Sequence, residues 1–556
     1  MRFLFTPATA LLATLAFAGC TSLPRERGYS ETGELIKARL GTAPAAFFDD
    51  PIPILAPEIP SEPLDIEQAV RLAFLHNPKV RQQYALLGLG RAELATALRL
   101  SNPSFGYSRL KPRGGGGAQV TRTVSVLISD LLLLGSRKRF ASGELGRLQN
   151  SVAAELLNLA SDVEVAWFES VSAGQVAAMR ELVASSAEQS EALAQRYFDA
   201  GNISRLQLEQ ERAAAAQARI AAVRAGAEAL RKRSELASLV GLPVQAAWQT
   251  ETQLSAPPAF KLTADELVPL ALRQRLDLTA AKQAVALRED ALGVTRRWRW
   301  LGSVELGYEH EREPDGGVIR GPTLAFELPI FNQGQGAVGR AQAELLEARA
   351  ELDTLALGAQ NDAHLGVQRL TVSREISERY RTVLVPSREA IVARSQEQVN
   401  FMLIGVFELI LAKQHEYDAY QEYLESVRDY WTARAELRRV VGGRLPDDGT
   451  ALEPTIGVDA VAPSADAPEM DHSMHNMQGM ETPSEPTPAA TDPHAGHRMS
   501  TPAETETVAD PHAGHVMPMP EQPESAEPKS SEPEPDKKPA PKPKPEAPAH
   551  HHGDSP

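Results

Sequence analysis

The stretch "LDIEQAVRLAFLHNPKV" at 64–80 lies over "LTADELVPLALRQRLDL" at 262–278 with an offset of 198. Leu64/Leu262, Val70/Val268, Leu72/Leu270 and Ala73/Ala271 coincide. Further on, "FGY" (105–107) matches "LGY" (306–308). "DAGNISRLQLEQ" (199–210) then matches "LIGVFELILAKQ" (403–414), which aligns Gly201 with Gly405 and Gln210 with Gln414 at an offset of 204. Three matches in one order make the body a duplication, its repeats at 64–250 and 251–443.

Each repeat reads as long helices interrupted by one pair of strands. No proline falls between Pro112 and Pro243, and from Arg137 to about Tyr197 the apolar positions Val152, Leu156, Leu159, Val163 and Ala166 step by four and three. That is the spacing of a helix packed in a coiled-coil manner. A helix of about 60 residues would be about 90 Å long, more than any globular core spans and closer to the depth of a periplasm. The shorter helical stretches 78–101 and 204–240, like 276–300 and 406–441, would stack end to end beside one long helix. The fold class expected is mainly α with a small β part, built on duplicated long helical hairpins.

The strands alternate. Val304, Leu306 and Tyr308 oppose Glu305, Glu309 and Glu311; Leu324, Phe326 and Leu328 oppose Thr323, Ala325 and Glu327. In the first repeat Val120, Val124, Val126 and Ile128 oppose Thr121, Thr123 and Ser125. This is the pattern of a membrane barrel strand and equally of a half-buried soluble sheet. Four strands cannot close a barrel, and open edges are not tolerated in lipid, so subunits would have to pool them; three would supply twelve. Trp298 and Trp300, among Arg296, Arg297 and Arg299, fit either an interfacial anchor or two partly buried tryptophans.

Residues 1–19 read as a signal segment: Arg2, an apolar run from Leu11 to Phe17, and small Ala18 and Gly19 before Cys20, the single cysteine. No disulfide is possible within the chain. "LAFAGC" resembles a bacterial lipoprotein cleavage box, which implies lipidation of Cys20; the plainer alternative is a secretory signal with an incidental cysteine. Thr21, not Asp, follows, which favours an outer-membrane address. Residues 20–63 read as an extended, proline-bearing lead-in.

From Arg444 onward 21 acidic residues face 7 basic ones, which accounts for nearly all of the net charge of −16. The body is nearly neutral, and neither it nor export suggests a nucleic-acid partner. Segment 444–556 lacks Phe, Tyr and Trp and is rich in Pro, Glu, Ala and Ser, a composition too polar to offset chain entropy. It holds nine of 13 histidines and seven of 10 methionines. They cluster in "MDHSMHNMQGM" (470–480), in the octets "DPHAGHRM" (492–499) and "DPHAGHVM" (510–517), and in "HHH" (550–552). Thioether sulfur is a soft ligand for Cu(I) and Ag(I), whereas imidazole also takes Cu(II), Zn and Ni. The candidate ligands are Met470, His472, Met474, His475, Met477, Met480, His494, His497, Met499, His512, His515, Met517 and Met519. An inert solvated tail is the alternative, and "HHH" also matches a residue of tagging; the repeated octet argues for a multiplied weak site.

The helix–hairpin–helix duplication, the strand end "LPIFNQG" (328–334) and the paired turns at Gly201 and Gly405 resemble the outer-membrane efflux protein family, the TolC-like channels, over roughly residues 64–443. The resemblance implies a homotrimer with a twelve-stranded barrel in a Gram-negative outer membrane, continued by a periplasmic helical tunnel. It implies a periplasmic adaptor and an inner-membrane RND-type pump as partners. The adaptor would dock at the tip, where Ser204, Arg205 and Leu206 match Glu408, Leu409 and Ile410 by position. Two acidic residues that often ring the family's aperture are Leu411 and Gln414 here. Those two positions supply no acidic gate, and Glu408 is the acid that would stand in for one.

Other motifs weigh little. "GQGAVG" (334–339) spells a dinucleotide fingerprint, but the helix it opens runs too long for a Rossmann unit. "GGGG" (114–117) reads as a hairpin loop, and His76, His310, His364 and His415 are scattered. No catalytic grouping stands out. The expected function is passive export of copper or silver. The alternatives are a drug or organic-solute channel of the same fold, and a structural metal-binding coiled-coil lipoprotein.

Overall fold

A computed structural model describes residues 29–41 and 62–446, apart from 112, 260 and 301. These belong to one unit, Met1–Glu469. The signal segment, Cys20 and every candidate tail ligand from Met470 to Met519 lie outside the described residues.

The first repeat runs α2 (Ile66–His76), α3 (Pro78–Ala97), β1 (Ser104–Leu110), β2 (Gln119–Leu127), α4 (Ile128–Asp199) and α5 (Arg205–Val240). The second runs α6 (Ala264–Gln274), α7 (Leu276–Trp298), β3 (Val304–Arg312), β4 (Val318–Phe326), α8 (Gln335–Arg379), a π-turn (Tyr380–Leu384), α9 (Val385–Asn400) and α10 (Val406–Val441). The duplication is closer than the sequence matches suggest. α6 repeats α2 at an offset of 198, and α10 repeats α5 at 201 with 36 residues in each. The step between the offsets is absorbed in α7, which has 23 residues against 20 in α3.

α4 has 72 residues, about 108 Å at 1.5 Å per residue. Val152, Leu156, Leu159, Val163 and Ala166 are all buried, as their spacing requires. It begins nine residues before the Arg137 start expected from sequence, so Ile128 is helical and does not continue β2. Asp130 explains the early start. It sits in the first turn, where an anion offsets the helix dipole, accepts a hydrogen bond from Ser101 Oγ, and is held by Arg137 Nη2 at 2.7 Å. The second long helix is broken where the first is not. Pro386 has no N–H for the carbonyl four residues back and its ring clashes with it, and the preceding π-turn widens the helix there.

Tryptophans pin α4 to α10. Phe168 and Trp431 stack at 5.4 Å, Trp167 Nε1 donates to the Leu64 carbonyl at 2.8 Å, and Trp431 Nε1 donates to that of Ser255 at 2.7 Å. The returning helices end against the joints of the shorter ones. Gly241 (φ 80°) leaves no room for a Cβ, which would lie 2.8 Å from the His76 carbonyl carbon; Gly442 (φ 80°) repeats this against Arg275 Cα at 3.0 Å.

The lead-in is not wholly extended. Tyr29–Leu40 forms α1, because its stretch lacks proline and places Tyr29, Thr32 and Ile36 on one buried face. Tyr29 meets Tyr84 of α3 edge-on at 4.9 Å.

Candidate functional site

The four strands form one antiparallel sheet in the order β1-β2-β3-β4. Residues directly opposite one another share a face, so the register sorts the side chains. One face carries the rows Phe105–Val124–Tyr308–Pro322 and Val126–Leu306–Leu324, then Val304–Phe326. The other carries Ser104–Ser125–Gly307–Thr323, Gly106–Thr123–Glu309–Gly321 and Ser108–Thr121–Glu311–Ile319.

In the two central strands exposure is inverted relative to a soluble sheet, whereas the edge strands β1 and β4 are exposed on both faces. Val124 is 48% exposed, Leu306 47% and Tyr308 50%, whereas the polar-face Ser125 is 8% exposed. Ser125 lies 2.5 Å from Ser104 Oγ and also donates to Glu305, while Gln119 donates to Glu311. The polar face holds Glu305, Glu309 and Glu311 and no Lys or Arg; the arginines of the strands, Arg109, Arg122, Arg312 and Arg320, all lie on the apolar face. Leu328, expected to continue β4, lies just beyond it and is exposed, as are Ile330 and Phe331. Trp300, at the foot of the sheet, is half exposed and lies under the Arg299 guanidinium at 4.9 Å.

At the far end of the long helices lie two turns of one geometry. In the first, Gly201 N–H bonds the Phe198 carbonyl at 2.9 Å and Asn202 N–H that of Tyr197 at 2.8 Å. In the second, Met402 N–H bonds Val399 at 2.9 Å and Leu403 N–H bonds Gln398 at 2.9 Å. The equivalence runs at an offset of 201, not the 204 of the sequence match. Gly201 therefore corresponds to Met402, and Ser204 to Gly405.

Ser204 caps α5 with a full capping box: its Oγ accepts from Gln207 N–H at 3.2 Å and Gln207 Oε1 accepts from Ser204 N–H at 3.1 Å. Gly405 caps α10 with no side chain. Arg205 and Leu206 thus stand opposite Val406 and Phe407 in register; Glu408, Leu409 and Ile410 lie one helical turn further in. Arg205, Leu206 and Glu408 are exposed, while Leu409 and Ile410 are half-buried. Tyr197 and Phe407 meet edge-on at 6.4 Å and tie the turns together.

Sequence matching missed the apolar tip. Phe401, Met402 and Leu403 are exposed, Met402 by 93%, beside exposed Leu206. The available signal was "FML", three large apolar residues standing where the first turn has the small or polar "AGN". Among the described residues no group of three or more His, Cys, Asp or Glu could hold a metal ion. No helix among them is long and apolar enough to cross a membrane.

No protein-family model matches the chain, and neither does any curated protein. Solved structures do. The CmeC outer membrane channel of Campylobacter jejuni is 17% identical, with 71% of this chain and 87% of that one covered at a TM-score of 0.60. The outer membrane protein VceC of Vibrio cholerae is 14% identical, with 68% and 96% covered at 0.56. CusC, whose crystal structures concern transmembrane channel formation, is 17% identical, with 70% and 100% covered at 0.53. At such identities the likeness is one of fold. The chain has the TolC-like fold, mainly helical with a small four-stranded sheet.

Proposed function

We propose that the chain is the outer-membrane subunit of a tripartite efflux system, a passive conduit through which metal ions, copper or silver foremost, leave the periplasm. Three copies pool their strands into a twelve-stranded barrel, and the long helices continue it as a tunnel. An inner-membrane RND-type pump drives transport through a periplasmic adaptor docked at the tip, and Cys20 carries a lipid anchor.

The inverted sheet carries this reading. An exposed apolar face beside a hydrogen-bonded polar face is costly in water and matches a barrel wall between lipid and a wet lumen. Glu305, Glu309 and Glu311 would then line the lumen without a counter-charge on their face. That favours cations by the electrostatics of a narrow pore. The Met- and His-bearing tail supports copper or silver by ligand softness. Its weak repeated sites suit capture and release beside a channel.

One observation favours a drug or organic-solute channel of the same fold. Leu411, where a family-type aperture would place an acid, is exposed on α10. A metal-sensitivity panel on a deletion strain separates the two. Selective sensitivity to copper and silver supports metal export; sensitivity to drugs with unchanged metal tolerance reassigns the substrate.

A further inference from the structure

The apolar face of the sheet does not stay apolar to its end. The register sets Tyr107, Arg122, His310 and Arg320 in one row and Arg109, Val120, Arg312 and Val318 in the next, both on the face of Phe105, Val124 and Tyr308. Arg109, Arg122, Arg312 and Arg320 are all exposed. None of them forms an ion pair with another described residue. The nearest carboxylates along β3, Glu309 and Glu311, point to the opposite face and cannot neutralise them.

Position along the strands gives these rows a depth. From Val304 to His310 β3 rises about 20 Å, or about 15 Å once tilted as in a barrel. The apolar rows fill that rise, between the turn of Arg299 and Trp300 below β3 and the two basic rows above. Arg122 and Arg320, like Arg109 and Arg312, are separated by two strand spacings, about 10 Å. Uncompensated cations at that spacing, on a face turned to lipid, call for an external anion at the level of the headgroups.

Resting on the barrel reading above, we infer that Arg109, Arg122, Arg312 and Arg320 form a binding surface for the phosphate groups of membrane lipids in the leaflet at the hairpin-tip end of the sheet. Guanidinium suits the task, since its planar fork takes phosphate oxygens two at a time. Tyr107, in the same row, adds an amphipathic ring of the kind found at membrane interfaces.

The test uses the full-length protein extracted from membranes in a non-ionic detergent. It is incubated with mixed micelles containing phosphatidylglycerol, or diacylglycerol with the same chains, and lipid retained per protein is measured after gel filtration. Wild type should retain phosphatidylglycerol over diacylglycerol. Each Arg→Gln change at 109, 122, 312 or 320 should lower phosphatidylglycerol affinity about fivefold, and Arg→Lys at the same positions should keep most of it. Gln changes at Arg296 and Arg297, beyond the other end of the sheet, should leave it unaltered if the tip-end leaflet is the one bound. Retention unchanged in all four Gln variants overturns the inference. So does full displacement of the lipid by inorganic phosphate, which would mark a site for a free anion. Cys20→Ala protein absent from the membrane fraction overturns the barrel reading and this inference with it, whereas Cys20→Ala protein that stays membrane-borne with no lipid preference overturns this inference alone.

Discussion

Gly201 and Met402 hold the same left-handed position in the two tip turns, at φ 78° and 56°. Glycine meets no steric penalty there, whereas any other L-residue places its Cβ against the following carbonyl oxygen at a cost of about 1–2 kcal/mol. The second turn is therefore the strained one, and it also lacks the capping side chain that Ser204 gives the first.

Relieving that strain should be measurable locally. Met402→Gly should slow amide exchange at Leu403 about fivefold, equivalent to about 1 kcal/mol of recovered strain. Ser204→Ala should speed exchange at Gln207 by a similar factor through loss of its cap. Hydrogen exchange of the purified protein reads both. Unchanged rates would mean the turns are held by contacts outside themselves.

The joint between α6 and α7 should give a pH signature. Burial pushes the Asp277 carboxyl up, but the paired hydrogen bonds and charge of Arg275, at 2.7 and 3.1 Å, together with the Leu278 N–H, bring it below its usual value. A depressed folded pKa adds stability that is present above the unfolded pKa, near 3.9, and is lost as pH falls through the folded value. Asp277→Asn should therefore lower thermal stability at neutral pH, by at most about 1 kcal/mol because solvent screens the pair. The gap to wild type should close as pH drops below about 4. A gap independent of pH would assign the effect to packing.

Much of this architecture is legible in the amino-acid order, and the exceptions have identifiable causes. The 3.6-residue stripe of α4 and the alternation of β3 repeat often enough to declare themselves. The start of α4 does not, because "ISDLLLL" is a short apolar run that fits strand or helix equally, and the contact of Asp130 with Ser101 decides it. α1 is a single buried stripe among prolines, too short to outweigh them. Matching Gly405 to Gly201 by residue type sets the tip register three residues off. The left-handed residue is Met402, a residue type that sequence reasoning does not place there. The inverted exposure of the sheet follows from register and solvent contact together, and alternation alone left both faces open.

Adaptor docking at the tip can be read by crosslinking. Cysteines introduced at Arg205 and at Leu409 should each crosslink to the adaptor in cells, and one at Glu309 should not. The half-buried Leu409 should react more weakly than exposed Arg205. Equal capture at tip and sheet would remove the tip from the docking account.

The tail predicts its own chemistry. A peptide spanning residues 470–519 should bind several Cu(I) or Ag(I) ions when titrated against a competing chelator. Changing its seven methionines to leucine should remove most Cu(I) affinity while sparing Zn binding by histidine. Binding no better than that of a peptide free of Met and His would reduce the tail to a linker.

Pooling of strands between copies is the central claim, and disulfide trapping between β1 and β4 tests it most directly. In a closed barrel β4 of one copy lies beside β1 of the next. In a background with Cys20→Ala, Ser108→Cys on β1 is combined in turn with Ile319→Cys, Gly321→Cys or Thr323→Cys on β4, all on the polar face. At least one pair should give dimer and trimer bands on oxidation in membranes, with nothing larger, because the third link closes the ring. Monomer alone for every pair, or a ladder running past trimer, would contradict the account.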